Sequence, residues 1–175
     1  MEQQREQDRI THLHGKEAVR KLKDVVDNEH IAMFHTGVHS PDEHVRPMTV
    51  QKVCDQGNFW MLSARGSKKN ADITANPEVM ITIAIPGRSQ FLAVHGTAQV
   101  VDDQRKKDEL WSNIAKAWFP QGKEDPALTV LKVAPRDCYY WDTKDGRIVS
   151  LLKIATAAVT GNMNDSGGVE GPLHV

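Results

Sequence analysis

Cysteine is scarce in this 175-residue chain, which carries only Cys54 and Cys138. Domains stapled by disulfides carry far more, so two reduced thiols are the expectation. Long apolar runs are missing too. No stretch approaches the roughly 20 residues that a membrane-crossing helix needs. Met1 to Arg9 is almost wholly polar and lacks the apolar core of a secretory signal. These features point to a cytoplasmic protein. Neither sign of charge dominates, with 22 Lys and Arg against 23 Asp and Glu and a formal net charge of -1. That balance gives no reason to expect a hold on nucleic acid or on an anionic membrane. Several chemical signatures are absent as well. No G-x-G-x-x-G turn opens a βαβ unit, so a Rossmann domain is not expected. There is no G-x-S-x-G elbow. His35, His39 and His44 crowd one segment, but their spacing matches no zinc signature, and no metal site is expected there.

What is present is a periodic pattern that changes along the chain. Residues 1–14 read as a flexible arm. From Gly15, Ala18, Leu22, Val25 and Val26 fall at helical spacing. Residues 31–36 fit a buried strand, and 39–44 a turn. Arg46 to Val53 and Phe59 to Ser63 form a strand pair about a turn at 55–58. Ser67 is a plausible N-cap for a short helix that ends before Pro77. Val79, Ile81, Ile83 and Ile85 alternate as in a strand, and residues 90–101 form the next one. Asp102-Asp103 opens a helix running to about Trp118, on which Trp111 and Trp118 are expected to pack in a core or interface. Residues 119–126 form a loop, and two strands, 128–133 and 138–141, flank a break at Pro135. Ile148, Leu151, Leu152, Ala155 and Val159 mark a terminal helix, and residues 162–175 read as a flexible tail. With no repeat and no internal linker, residues 15–161 make one domain. Its class is mainly β with flanking helices, a closed or nearly closed antiparallel sheet.

The densest chemical constellation is Ser63-Ala64-Arg65-Gly66-Ser67-Lys68-Lys69. It leaves a strand, turns on a glycine and enters a helix. Such a turn can hold a phosphate, because helix-end N–H groups and lysine charge act together. It can equally be a solvated basic turn. Arg46 and Met48 point to one face of their strand. Trp60 and Trp141 stand on strands, where each can line a flat ligand or fill the barrel. No residue has a setting that marks it as a catalytic acid or base.

Taken in order, these pieces resemble the pyridoxamine 5′-phosphate oxidase-like superfamily, and within it the general stress protein branch. The likeness runs from about Lys16 to Gly161. Its carriers are Arg46-Pro47-Met48, Phe59-Trp60-Met61-Leu62-Ser63, the pair Ser67 and Lys69, and Asn76-Pro77-Glu78-Val79. Trp118-Phe119-Pro120 through Gly122-Lys123 to Asp125-Pro126, then Tyr140-Trp141-Asp142, resemble the stress-protein branch. The resemblance implies an antiparallel six-stranded split β-barrel of the FMN-binding type. It implies a flavin, FMN or FAD, held between the subunits of a homodimer. Arg46, Pro47, Met48 and Val50 would line one side of the ring, Leu62 and Ser63 the other. Ser67, Lys68 and Lys69 would hold the phosphate, with Gln90 toward the ring and Trp141 reaching it from the partner subunit. The oxidases also carry an R-x-H-x-R cluster that holds substrate. Here Arg147 is followed by Val149 and Leu151, so vitamin B6 oxidase activity is not expected. A flavin-dependent redox protein with an unidentified small-molecule electron donor is the first expectation. A non-enzymatic flavin carrier or sensor is the second, and a split barrel binding haem or a deazaflavin the third.

Overall fold

The computed structural model describes residues 10–143 and 168–175. Its first half follows the local patterns closely. β1 (Leu13–His14) leads into α1 (Gly15–Asn28), then β2 (Ile31–Thr36), β3 (His44–Val53) and β4 (Phe59–Ala64). In α1 the residues Ala18, Val19, Leu22, Val25 and Val26 are all buried. Their spacing of three and four places them on one stripe, which packs into the main core. On β2, Ala32, Phe34 and Thr36 point inward while Ile31 and Met33 face out, as the two-residue period requires. α2 (Lys68–Ala75) follows, capped by Ser67, whose hydroxyl accepts a hydrogen bond from the Asn70 N–H.

β5 (Glu78–Ile85) and β6 (Gln90–Val101) form a hairpin, and α3 (Gln104–Leu110) leads toward β7 (Leu128–Thr143). The sheet order β7-β4-β3-β2-β5-β6 returns to β7, giving a closed six-stranded antiparallel barrel. β7 closes it because it is long enough to pair with β4 along 128–133 and with β6 along most of its length. β8 (Gly168–His174) joins the far half of β7, with β1 beside it in parallel.

Four expectations are corrected. The strands flanking Pro135 are one strand. A register shift between His95 and Gly96 sets Pro135 opposite Gly96, so the missing proline N–H falls at a bulge. Gly96 is needed there, because a Cβ would collide with the Ala134 carbonyl oxygen. The helix expected to reach Trp118 stops at Leu110, and a separate 3-10 turn spans Asn113–Ala117. Residues 168–174 of the supposedly loose tail are a strand, with Leu173 buried in the core. The arm is likewise ordered from Ile10, which bridges to Glu170. Both segments gain order from pairing with distant strands, which local composition does not reveal. The terminal helix expected around Ile148 to Val159 lies outside the described residues, as does Arg147.

Candidate cofactor cleft

A cleft of about 830 Å³ opens beside the barrel between β3, β4, the start of α2 and residues 112–119. Arg46, Pro47, Met48 and Val50 line it from β3, Leu62 and Ser63 from β4, and Lys69 from α2. The structure therefore gathers seven of the eleven residues named from the sequence. Ser67, Lys68, Gln90 and Trp141 of this chain do not line it. Gln90 opens β6 and is buried, donating from Nε2 to Asp142 Oδ2 at 3.1 Å. Trp141 is 41% exposed near the end of β7 and stacks obliquely on Tyr139. The earlier residues meet because β3 and β4 are hydrogen-bonded neighbours, and the turn after β4 leads into α2, whose Asn70 is tied back to Ser63.

The basic end of the cleft has a defined electrostatic pattern. Arg46 donates from Nη1 to Thr36 Oγ1 at 2.8 Å, and Thr36 in turn donates to Asp72 Oδ2 at 2.7 Å. Lys68 donates to the other Asp72 oxygen at 3.0 Å, so its charge is already matched. Lys69 has no hydrogen bond or ion pair to any described residue. Burial lowers its pKa, and the neighbouring Arg46 charge lowers it further. Arg46 is also lowered by burial, which Asp72 partly offsets. Burial opposes the Asp72 charge, yet the hydrogen bonds from Thr36 and Lys68 outweigh it and hold the carboxyl below its usual range. Arg46 Nη2 also lies 3.7 Å from Asp72 Oδ2, so Arg46, Lys68 and Lys69 meet a single carboxylate, and the excess positive charge suits the site to an anion.

Beneath this end lies a buried polar chain that sequence reading missed. Ser63 Oγ donates to Asn70 Oδ1 at 2.6 Å, Asn70 Nδ2 to Thr129 Oγ1 at 3.1 Å, and Thr129 Oγ1 to the Ser63 carbonyl at 3.0 Å. The Ser63 hydroxyl is thus turned inward, and its role here is to lock α2 onto β4 and β7. Asp72 was also missed, although it stands four residues after Lys68, the spacing of a helical ion pair. Of the three crowded histidines, His35 pairs with Glu43 and His44 lies near Asp72. His39 sits in the turn with a positive φ of 66°.

The rest of the lining is largely apolar. Leu62, Met48, Ile31, Ile114, Ala115, Trp118 and Phe119 contribute to it. Of the two placements expected for Trp118, core or interface, the chain's own core is ruled out, because the side chain is 69% exposed. The buried position in this segment belongs to its neighbour Phe119. Phe119 packs with Ala115 and Leu128 in a second small core, to which Trp111 contributes in part.

Comparison with known proteins assigns this closed six-stranded barrel and its cleft to a class. Residues 17–165 match the family described as pyridoxamine 5′-phosphate oxidase like. The chain belongs to that family. It is 27% identical to General stress protein 26 of Bacillus subtilis (strain 168) over 135 residues, 75% of this chain and 94% of that one. A structure from Jannaschia sp. CCS1, provisionally a general stress protein 26, shares 25% identity. It covers 89% of this chain and 97% of its own, with a TM-score of 0.74. The general stress FMN/FAD binding protein of Xanthomonas citri shares the fold at 24% identity and a TM-score of 0.62, covering 71% and 87% of the two chains.

Proposed function

We propose that this chain is a flavin-binding redox protein of the general stress type, holding FMN or FAD in the cleft. The observation that carries this reading is Lys69, an unpaired, partly buried ammonium beside Arg46 at the basic end of an apolar cleft. A phosphate monoester dianion supplies the charge that this pair lacks. Arg46 is held in place by Thr36 and needs little reordering to meet it. From there a flat ring lies along Met48, Pro47 and Leu62, whose apolar surfaces exclude water from it. The volume is within the usual range for a small-molecule site. When bound, the isoalloxazine supplies the electron-transfer chemistry, and the protein has to orient and shield it. Similarity to a protein whose own description is FMN/FAD binding supports the same choice.

The chain would act as a homodimer. Ile31, Met33 and Val45 are 51%, 42% and 48% exposed on the adjoining strands β2 and β3, an apolar stripe suited to a second copy. Two free thiols and the absence, among the described residues, of any helix long and apolar enough to cross a membrane suit a cytoplasmic setting. The test is the visible spectrum of the purified protein, followed by an FMN titration read by flavin fluorescence. Quenching that saturates near one FMN per chain is the expected result. A colourless protein indifferent to FMN and FAD would remove the function and leave the fold.

A further inference from the structure

Residues 112–119 present two pairs of apolar side chains with the same spacing of four. Ala115 and Phe119 turn into the small core, while Ile114 and Trp118 stay 72% and 69% exposed at the mouth of the cleft. An indole left open on the rim of a cavity is a stacking surface without a partner. The charges lining the cleft point the same way. Among the described residues, its only lysine and arginine are Lys69 and Arg46, and no carboxylate lines it. His30 is turned to the Val50 carbonyl through Nδ1, and Lys68 is committed to Asp72. Arg46 shares Asp72 with Lys68, so these groups carry no more charge than one phosphate dianion takes up, and the flavin reading already assigns them one. A second phosphorylated ligand would enter with no counter-charge, at a high desolvation cost.

We infer that Trp118 and Ile114 receive the second ligand of this site, and that this ligand is a flat, uncharged aromatic molecule, such as a quinone, rather than a phosphorylated one. The inference rests on the flavin reading and adds to it the class of substrate. Trp118 stacks on the incoming ring, and Ile114 covers its edge. Neither residue carries a charge or a side-chain hydrogen-bond donor aimed at the phosphate in this reading, which assigns that group to Arg46 and Lys69.

The experiment loads wild-type protein, Trp118→Ala and Trp118→Phe with FMN, measuring cofactor affinity by fluorescence quenching in each. Menadione and, separately, pyridoxamine 5′-phosphate are then titrated while the flavin absorbance bands are followed. Menadione should give a saturable band shift with wild type and Trp118→Phe. Its affinity should fall about tenfold in Trp118→Ala, the order of one lost aromatic contact, with FMN affinity unchanged in all three. Pyridoxamine 5′-phosphate should give no saturation over the same range.

Five results overturn the inference. Menadione fails to saturate the wild type, or binds Trp118→Ala equally well. Pyridoxamine 5′-phosphate binds the wild type more tightly than menadione. FMN affinity drops with the tryptophan, which would make the lip part of the cofactor seat. Sedimentation shows Trp118→Ala dissociating into a smaller species, which would make the lip a contact between copies. A wild type that never saturates with FMN is a separate outcome, since it removes the flavin reading and this inference together.

Discussion

On one side of the cleft, β3 and β4 are paired strands, and the Ser63–Asn70–Thr129 chain bolts α2 to β4 and β7 from inside. On the other side, residues 112–119 follow α3 as a 3-10 turn and touch the barrel mainly through Ala115 and Phe119. The first wall presents fixed cations, and the second presents an exposed tryptophan. The difference shows where each kind of recognition can be built. Charge must be placed to within a hydrogen-bond length, which calls for a wall cross-braced by hydrogen bonds. Apolar stacking tolerates looser placement, so a segment held by two side chains is sufficient for it.

The sharpest way to break this comparison is Phe119→Ala. It empties a buried site in a core too small to close around the gap, and should cost about 3 kcal/mol in denaturant unfolding. The phosphate grip should survive in the folded protein. If FMN affinity collapses along with stability, the two walls are coupled. Next in size is Lys69→Ala. A charge-assisted hydrogen bond contributes on the order of 1.5–3 kcal/mol, so FMN affinity should fall between about tenfold and a hundredfold. Riboflavin, which has no phosphate, should bind both proteins alike. Equal FMN affinity in wild type and variant would place the phosphate elsewhere.

Asn70→Ala removes the centre of the buried chain and leaves the Ser63 hydroxyl without its acceptor. A loss of about 2 kcal/mol is expected on that account. FMN should weaken more than riboflavin, because α2 and Lys69 are no longer held in register. The smallest effect is in pH. Burial and Arg46 lower the pKa of Lys69, so its ammonium is lost below the ordinary lysine range. FMN affinity should therefore decline a few-fold as pH rises through that lowered value, whereas Lys69→Arg should stay level. The sign reverses for the unliganded fold. Between the lowered value and the ordinary one, about 10.4, the unfolded chain binds more protons than the native one. The Lys69 contribution to stability therefore rises with pH there.

The general stress likeness was legible in short motifs, and so were most of the elements. Strands Ile31–Thr36 and Gln90–Val101 match the expected bounds to the residue, and Ser67 caps α2 as read. These features depend on neighbours in the chain: alternation on a pleated strand, a side-chain oxygen reaching a first-turn amide, a proline that cannot continue a helix. The sequence by itself therefore determined which segments become strands and helices, and that a basic turn follows β4.

Only the tertiary structure decided what those segments do together. Pro135 looked like a break until Gly96 stood across from it and allowed a bulge. The tail looked loose until β7 offered residues 168–174 an edge. Lys68 and Lys69 are equivalent in the sequence, yet Asp72 claims the first and leaves the second open to the cleft. Trp118 and Phe119 are adjacent aromatics, and the position of Leu128 decides which of them is buried. Each of these outcomes depends on a partner in another element, or on which side of a helix or turn faces the barrel. Local periodicity carries no information about the first, and too little about the second to separate one lysine from the next.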